Sequence, residues 1–259
     1  MKIIFIRHAE PDNEHNTLTQ KGQREAEILV NRSKNWDITD FYCSILGRAR
    51  QTAAPTLAYF GREAEIHEWL REFECPIDDP ECPGHRKVCW DFSPRYLEEH
   101  PRLFDPNHWW EEPIMQIAGA KPEYDRVCAG LDEILSRYGY IRKGLRYVTN
   151  HTEASNSYMQ YNGTTLECME RAPKDGPVIA IFCHLGVMMV MLSHLMNTSP
   201  CTLWHGIFVP PCSVTAVITE ERNPGEVYFR AQCIGDTSHL REAGEPVSFY
   251  GGFDQPFQG

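Results

Sequence analysis

Two histidines that follow strongly apolar stretches are the first candidates for chemistry in this sequence. His8 ends the stretch KIIFIRH (2–8), and His184 ends the stretch VIAIFCH (178–184). Each stretch indicates a buried strand, and helical sequence follows each histidine within a few residues. If the two strands are parallel, both imidazoles emerge at the edge of the sheet where ligands bind in open α/β folds.

Two arginines are expected beside these histidines. Arg7 immediately precedes His8, and Arg48 begins the helical stretch 47–61, which follows the strand-like stretch 40–45. Unpaired N–H groups and the dipole at a helix start favour an anion, and guanidinium groups bind phosphate oxygens in pairs. The arrangement therefore predicts a phosphoryl-binding pocket, with ordinary polar strand ends as the alternative.

The elements that must position this pocket alternate between strand and helix. The pattern predicts strands over 2–6, 40–45, 177–183, 213–219 and 226–234, a short strand and turn over 63–70, and helices over 18–33, 47–61, 123–139 and 185–197. Thr19 is expected to cap the first helix, Pro55 to kink or break the second, and Gly61 to end it. This order predicts a three-layer α/β/α sandwich with a mostly parallel sheet, helices on both faces and an inserted cap segment.

Length and composition suit one large folded domain. The chain has 259 residues, of which 42% are hydrophobic, and its net charge of −11 disfavours nucleic-acid binding. No apolar stretch is long enough to span a bilayer, so no membrane partner is expected. Without a signal-peptide pattern, the ten scattered cysteines are expected to be free thiols of a cytoplasmic protein. A homodimer is a possible assembly.

The ordered motifs resemble those of the histidine phosphatase superfamily, in its phosphoglycerate mutase-like branch. RHAEP (7–11) resembles the R-H-G-E-T signature of that family, and CSILGRARQTA (43–53) resembles S-x-L-x-R-A-x-Q-T-A, a highly specific match. LTQKGQREAE (18–27) and WLRE (69–72) are similar to two further elements, and VIAIFCHLG (178–186) to the strand ending in S-H-G-G. The resemblance implies the α/β fold of that family.

The resemblance also implies a role for each residue of the pocket. His8 would be the nucleophile that becomes a phosphohistidine, and Arg7, Arg48 and His184 would hold the phosphoryl oxygens. Glu72 would protonate the leaving oxygen and later activate water, so His8, Glu72 and His184 form the predicted catalytic set. No metal or other cofactor is expected, because the arginines neutralise the phosphoryl charge.

The assignment of Glu72 has two acidic competitors in the same short stretch. Glu68 and Glu74 lie close to it, and an acidic surface loop is the alternative interpretation of all three residues. The spacing after Leu70 in the L-x-E element favours Glu72.

The loop after His8 departs from the pattern of the family. Ala9 and Pro11 stand where Gly and Thr are usual, and Glu14 stands where the family has an asparagine. Asn13 is therefore a candidate phosphate ligand, with Asn16 as the alternative.

Segments outside the motifs are predicted to be cap-like insertions, at about 73–120 and 140–175, in a single domain over 1–259. The first is rich in proline and tryptophan, which favours a lid that excludes water and selects substrates. Arg86 and Trp110 are candidate substrate contacts within it. Further candidates by location alone are His85, His108 and His151. The tryptophans of the cap could line the pocket, but packing in a small core of the cap is the favoured interpretation of Trp90, Trp109 and Trp110.

Four potential zinc ligands also lie in the first of these segments. Cys75, Cys82, His85 and Cys89 fall within 15 residues, which is enough donors for a structural zinc site. However, the segment has no C-x-x-C pair, so a lid without metal is favoured.

These features together favour an enzyme that removes phosphoryl groups. The expected function is a metal-independent phosphomonoesterase that acts on a small phosphorylated metabolite through a phosphohistidine. A cofactor-dependent phosphoglycerate mutase is one alternative, but the stretch REFECPIDDP (71–80) does not resemble the E-R-H-Y-G sequence of such mutases. A non-catalytic phosphate-binding module is another, but it would require a catalytic residue to be lost, and all are present.

Overall fold

An eight-stranded sheet forms the centre of the molecule. The computed structural model describes residues 1–149, 158–161, 166–169, 176–223 and 225–250. In chain order, the strands of this sheet are β1 (Lys2–Arg7), β2 (Asp40–Ser44), β3 (Glu65–His67), β4 (Tyr140–Lys143), β5 (Arg146–Thr149), β6 (Val178–Cys183), β7 (Val214–Asn223) and β8 (Glu226–Asp236). Their spatial order is β3-β2-β6-β1-β7-β8-β5-β4.

Only one half of this sheet is parallel. The neighbours β3, β2, β6 and β1 run parallel to one another, whereas β7, β8, β5 and β4 are joined through antiparallel pairings. The prediction of a mostly parallel sheet is therefore wrong in extent. Antiparallel hairpins extend a sheet without crossover helices, and the β7–β8 and β4–β5 hairpins do so here.

Helices cover both faces of the sheet, as the sequence predicts. They are α1 (Gln20–Ser33), α2 (Gly47–Phe60), α3 (Pro94–Glu99), α4 (Pro113–Ile117), α5 (Ala120–Arg137), α6 (Leu185–Met196), α7 (Pro200–Gly206) and α8 (Ser238–Glu242). Short 3-10 turns occupy Glu68–Leu70, Pro101–Phe104 and Trp109–Glu111. No helix in the described part of the chain is long and apolar enough to cross a membrane.

The predicted helix ends are confirmed at two positions and revised at one. The hydroxyl of Thr19 accepts a hydrogen bond from the Gly22 N–H and caps α1. Gly61 ends α2 in the left-handed conformation, with φ at 61°, which costs glycine little. The helix runs continuously through Pro55, so no break occurs there.

The side chains of β1 point alternately to the two faces of the sheet, so they pack into two hydrophobic cores. Ile3 and Phe5 pack with residues of α5 and α6 on one face. Ile4 and Ile6 pack with residues of α1, α2 and α8 on the other. Because successive strand residues point to opposite faces, a single buried strand supports both layers. The α/β/α sandwich is thereby confirmed.

The proline-rich segment over 73–119 folds onto the α5–α6 face. Its short hairpin pairs Pro76–Asp78 with Arg86–Val88. Its buried side chains belong to the same core as α5 and α6, and Trp109 makes edge contacts with Tyr124 and Trp204. Trp109 therefore does not pack a separate core of the cap, which corrects that interpretation. The division into one domain with two insertions stays a prediction.

Candidate active site

Three parallel strands end at one place and bring the predicted site residues together. β6 lies between β1 and β2, and His184 and His8 directly follow β6 and β1. The centroids of the two imidazole rings are 5.0 Å apart, with 53° between their planes. Both histidines are buried. The two rings therefore share one pocket at the carboxyl edge of the parallel half.

His8 is held so that one specific ring nitrogen is free to react. Its Nδ1 lies 2.8 Å from the carbonyl oxygen of Ala9. A carbonyl oxygen only accepts hydrogen bonds, so Nδ1 carries the proton and Nε2 keeps a lone pair. Burial, and then the charge of Arg7, lowers the pKa of His8 well below its usual value. The lowered pKa favours the neutral ring, which is the form that can attack phosphorus.

The loop that follows His8 is fixed by contacts to two helices. The Ala9 N–H donates to the hydroxyl of Thr52 on α2, and that hydroxyl donates to the backbone oxygen of Arg48. The buried carboxylate of Glu25 on α1 accepts from the Glu10 N–H at 2.8 Å. The methyl group of Ala9 is fully buried in the core beneath the loop. Alanine therefore fits where glycine is usual in the family.

His184 is held through the opposite nitrogen of its ring. Its Nε2 lies 2.8 Å from the hydroxyl oxygen of Ser44, at the end of β2, whereas its buried Nδ1 has no partner among the described residues. Burial lowers the pKa of His184, and the nearby His8 and Arg48 lower it further. The Ser44 hydroxyl accepts a hydrogen bond from the Leu46 N–H and can donate its own hydrogen to Nε2, which leaves the proton of a neutral His184 on Nδ1, where it can be donated to a ligand oxygen.

Two arginines supply positive charge to the same pocket. Arg7 is buried and donates from a terminal nitrogen to the Val209 carbonyl at 2.6 Å, and its guanidinium lies 5.8 Å from the Phe208 ring centroid. Burial lowers the pKa of Arg7 to about 10, which leaves it cationic at neutral pH. Arg48, in the first turn of α2, donates to the side-chain oxygen of Asn16 at 3.3 Å.

Three buried nitrogens of these residues are left without a hydrogen-bond partner. Within the described residues, Nε of Arg7, Nε of Arg48 and Nδ1 of His184 are three of the six buried polar side-chain atoms that lack one. A buried polar group without a partner is costly, and each such group needs an explanation. A phosphoryl group presents several oxygens, and it could satisfy all three nitrogens at once.

Glu72 reaches the pocket from the loop after β3. Its Oε1 accepts hydrogen bonds from the Phe73 N–H at 2.9 Å and from the Val187 N–H, in the first turn of α6, at 3.1 Å. Burial raises the pKa of Glu72 and outweighs both bonds and the charge of Arg7. Glu68 and Glu74 are exposed. Among these three acids, Glu72 is the one suited to hold a proton for a leaving group.

A glycine allows this carboxylate to approach α6. A Cβ atom on Gly186 would lie 2.7 Å from Glu72 Oε1 and 3.0 Å from the indole nitrogen of Trp90. Trp90 also donates from that nitrogen to the Phe73 carbonyl and stacks on Trp204. Trp90 is therefore a wall of the site beside the acid. From the sequence, a pocket-lining role for Trp90 is only the less favoured alternative to packing in a small core of the cap.

The remaining candidates lie in other surroundings. Asn13 is exposed and its amide donates to the Tyr250 hydroxyl, whereas Asn16 contacts Arg48. Arg86 is exposed on the cap hairpin, and Trp110 packs edge-on against Trp109. The ligand roles of Asn13, Arg86 and Trp110 stay predictions.

The four potential zinc ligands do not come together in the described structure. No group of three or more histidine, cysteine or acidic side chains in the described ranges could hold a metal ion. His85 is exposed and lies 3.8 Å from a carboxylate oxygen of Asp79, and Cys82 is exposed. His108 Nδ1 lies 3.1 Å from a carboxylate oxygen of Asp105, and His151 lies outside the described residues.

Comparisons with known proteins agree with the motifs and the fold. Residues 3–78 match the model of the histidine phosphatase superfamily (branch 1), which confirms the resemblance seen in the sequence. No curated protein sequence matches the chain significantly.

Solved structures of phosphatases match over nearly the whole chain. An H9A mutant of the phosphoserine phosphatase of Entamoeba histolytica, in complex with phosphoserine, has a TM-score of 0.56 and 16% identity, covering 92% of this chain and 98% of that one. A mycobacterial glucosyl-3-phosphoglycerate phosphatase has a TM-score of 0.53 and 12% identity, covering 91% and 99%. The alpha-ribazole phosphatase of Shigella flexneri has a TM-score of 0.52 and 17% identity, covering 91% and 96%. At such identities, the likeness establishes the fold alone.

Proposed function

We propose that this chain of the histidine phosphatase superfamily is a metal-independent phosphomonoesterase that acts on a small phosphorylated metabolite through a phosphohistidine at His8. One observation carries the proposal. Three buried nitrogens without a partner among the described residues, Arg7 Nε, Arg48 Nε and His184 Nδ1, belong to side chains that lie close to a neutral His8 whose Nε2 keeps its lone pair. The phosphatase activities named for the similar structures support the same reaction class.

In the first step, His8 takes the phosphoryl group from the substrate. Nε2 attacks phosphorus and forms a P–N bond as the ester P–O bond breaks. The leaving oxygen takes the proton of the Glu72 carboxyl group, whose pKa is raised by burial. Arg7 and Arg48 stabilise the charge on the equatorial oxygens, which is the main catalytic requirement in phosphoryl transfer.

In the second step, water releases the phosphoryl group. The Glu72 carboxylate takes a proton from a water molecule, the water oxygen attacks phosphorus, and the P–N bond breaks. Inorganic phosphate leaves, His8 regains its neutral state, and Glu72 is again protonated. The covalent intermediate divides one difficult displacement into two easier ones.

Phosphate release with p-nitrophenyl phosphate tests the proposal directly. We expect turnover that is unchanged by EDTA, with one oxygen of the product phosphate derived from labelled water. Complete loss of activity on chelation would contradict the metal-independent mechanism. Conversion of 3-phosphoglycerate to its 2-isomer, primed with the bisphosphate, would favour a mutase. Phosphate binding without turnover would favour a non-catalytic module.

Two further parts of the proposal concern the cellular compartment and the oligomeric state of the enzyme. The cysteines whose side chains the structure characterises, all except Cys168, are free thiols, which is compatible with the proposed cytoplasmic setting. A homodimer stays a proposal, and sedimentation of the purified chain would test it.

A further inference from the structure

Two cysteines face each other at the base of the cap hairpin. Pro76 pairs with Val88, and Cys75 and Cys89 are the two residues just outside this last pair of the hairpin. Both side chains pack into the same hydrophobic core, so the two thiols are neighbours where the strands leave the hairpin. Disulfides join Cα atoms about 4.4–6.8 Å apart, which is of the same order as the spacing between neighbouring strands.

The two thiols differ in a way that favours stepwise reaction. Cys75 is partly exposed, whereas Cys89 is fully buried. A hydrogen bond from the Cys89 thiol lowers the pKa of Cys75, and the charges of Arg71 and Arg126 act in the same direction. The same contact, together with burial, raises the pKa of Cys89. An accessible nucleophilic thiol thus stands beside a buried thiol that can resolve a mixed disulfide.

The backbone at Cys75 is also unusual. Its φ is 38°, in the left-handed region that is costly for a residue with a side chain, and Pro76 follows directly. Strained positions of this kind concentrate at functional sites. By contrast, Cys43 and Cys128 are buried thiols whose pKa burial raises to about 12. Those two cysteines are suited to packing and not to reaction.

We propose that Cys75 and Cys89 form a dithiol modification site that low-molecular-weight disulfides oxidise to a Cys75–Cys89 bond. The Cys75 thiolate attacks one sulfur of the reagent, forms a mixed disulfide and releases one thiolate. Cys89 then loses its proton to that released thiolate and attacks the sulfur of Cys75, which expels the second reagent thiolate. Two protein thiols are oxidised, and one reagent disulfide is reduced to two thiols.

The modification acts on the loop that carries the general acid, a consequence that rests on the proposed function. Glu72 is three residues before Cys75, and Trp90 directly follows Cys89. The indole nitrogen of Trp90 donates to the Phe73 carbonyl, so both ends of the new bond connect to the Glu72 environment. A covalent bond fixes the spacing of the two segments that flank Glu72 and Trp90, and a misplacement near 1 Å can cost about 10²-fold in rate.

Oxidation of the whole chain with glutathione disulfide tests this inference. We expect peptide mapping to find a Cys75–Cys89 disulfide, and kcat with an alkyl phosphate, whose leaving group needs the proton of Glu72, to fall by about tenfold or more. Dithiothreitol should restore the activity. Cys75→Ser should retain activity and become insensitive to the reagent. The matched control is Cys82→Ser, which removes an exposed thiol of the same hairpin and should stay sensitive.

The outcomes separate this inference from the proposed function. A peptide map without the Cys75–Cys89 bond, or an equal response of Cys75→Ser and the unmodified sequence, would overturn the dithiol site. A chain that forms the bond but never hydrolyses phosphate esters would support the site while refuting the proposed function. An oxidised enzyme with unchanged kcat would overturn the link to Glu72.

Discussion

The ends of β1 and β6 are alike in sequence and position, but they hold their histidines differently. At the end of β1, His8 is fixed through Nδ1 by the carbonyl of the next residue. At the end of β6, His184 is fixed through Nε2 by the hydroxyl of Ser44, which belongs to the neighbouring strand. In His8, Nε2 is left with a lone pair that can attack phosphorus. In His184, Nδ1 is left without a partner among the described residues, near the two arginines. The same side chain can therefore serve attack at one strand end and binding at the other.

The largest effect is expected at the β1 end. His8→Ala removes the nucleophile, and no neighbouring group can replace the covalent step. We expect kcat to fall by on the order of 10⁴-fold or more. Steady-state phosphate release from p-nitrophenyl phosphate measures this, with circular dichroism as the control for folding. A variant that keeps even a tenth of the activity would contradict the assignment of His8 as the nucleophile, because the reaction would then not depend on a covalent bond to His8.

The proposed general acid, Glu72, accepts a hydrogen bond from the helix that follows β6, and its substitution is expected to give the next largest effect. Glu72→Gln keeps the shape of the side chain but removes the proton that the leaving oxygen needs. We expect a loss of about 10²–10⁴-fold with alkyl phosphates. The rate of phosphoenzyme formation should fall much less with p-nitrophenyl phosphate, since its leaving group needs little protonation, whereas hydrolysis of the phosphoenzyme should be slow with both substrates. Equal losses in phosphoenzyme formation with both substrates would contradict the role of Glu72 as the acid.

Substitution at the β6 end should be damaging without abolishing the reaction. His184→Ala removes one donor to the phosphoryl oxygens but leaves the nucleophile, so we expect kcat to fall by about 10²–10³-fold. The phosphoenzyme should still form at a reduced rate, as rapid-quench measurements with labelled substrate would detect. A complete absence of phosphoenzyme in this variant would indicate that both histidines are needed for attack.

The smallest effect is expected from the residue that orients His184. Ser44→Ala removes one hydrogen bond, which is worth about 0.5–1.5 kcal/mol, so kcat should fall by roughly tenfold at most. Ser44→Thr keeps a hydroxyl and is the matched control. If Ser44→Ala were as damaging as His184→Ala, the hydroxyl would have a more direct part in the reaction than orientation.

The two catalytic strand ends were predictable from sequence because their signals are local. β1 and β6 are continuous apolar stretches between polar residues, and Thr19 and Gly61 mark helix ends by their own chemistry. Once both strands are placed in one parallel sheet, the meeting of His8 with His184 follows from topology.

Other features depend on contacts between distant residues and had no local signal. Ser44 and Thr52 stand inside a recognised motif, but their hydrogen-bond partners depend on the packing of β2 and α2 beside the other strand ends. Trp90 approaches Gly186, although the two residues are far apart in the chain. Trp90 lies in an irregular segment without periodicity, so the sequence pattern gave no sign of this contact. The antiparallel half of the sheet was underestimated for a similar reason, because the polar stretch 140–149 shows no clear alternation.

Trapping of the covalent intermediate tests the central claim most directly. The enzyme would be mixed with ³²P-labelled substrate, quenched in alkali within milliseconds, digested and mapped. The account predicts an acid-labile, alkali-stable phosphohistidine on the peptide that contains His8, with no label in the His8→Ala variant. Label on any other residue, or turnover without a labelled peptide, would contradict it.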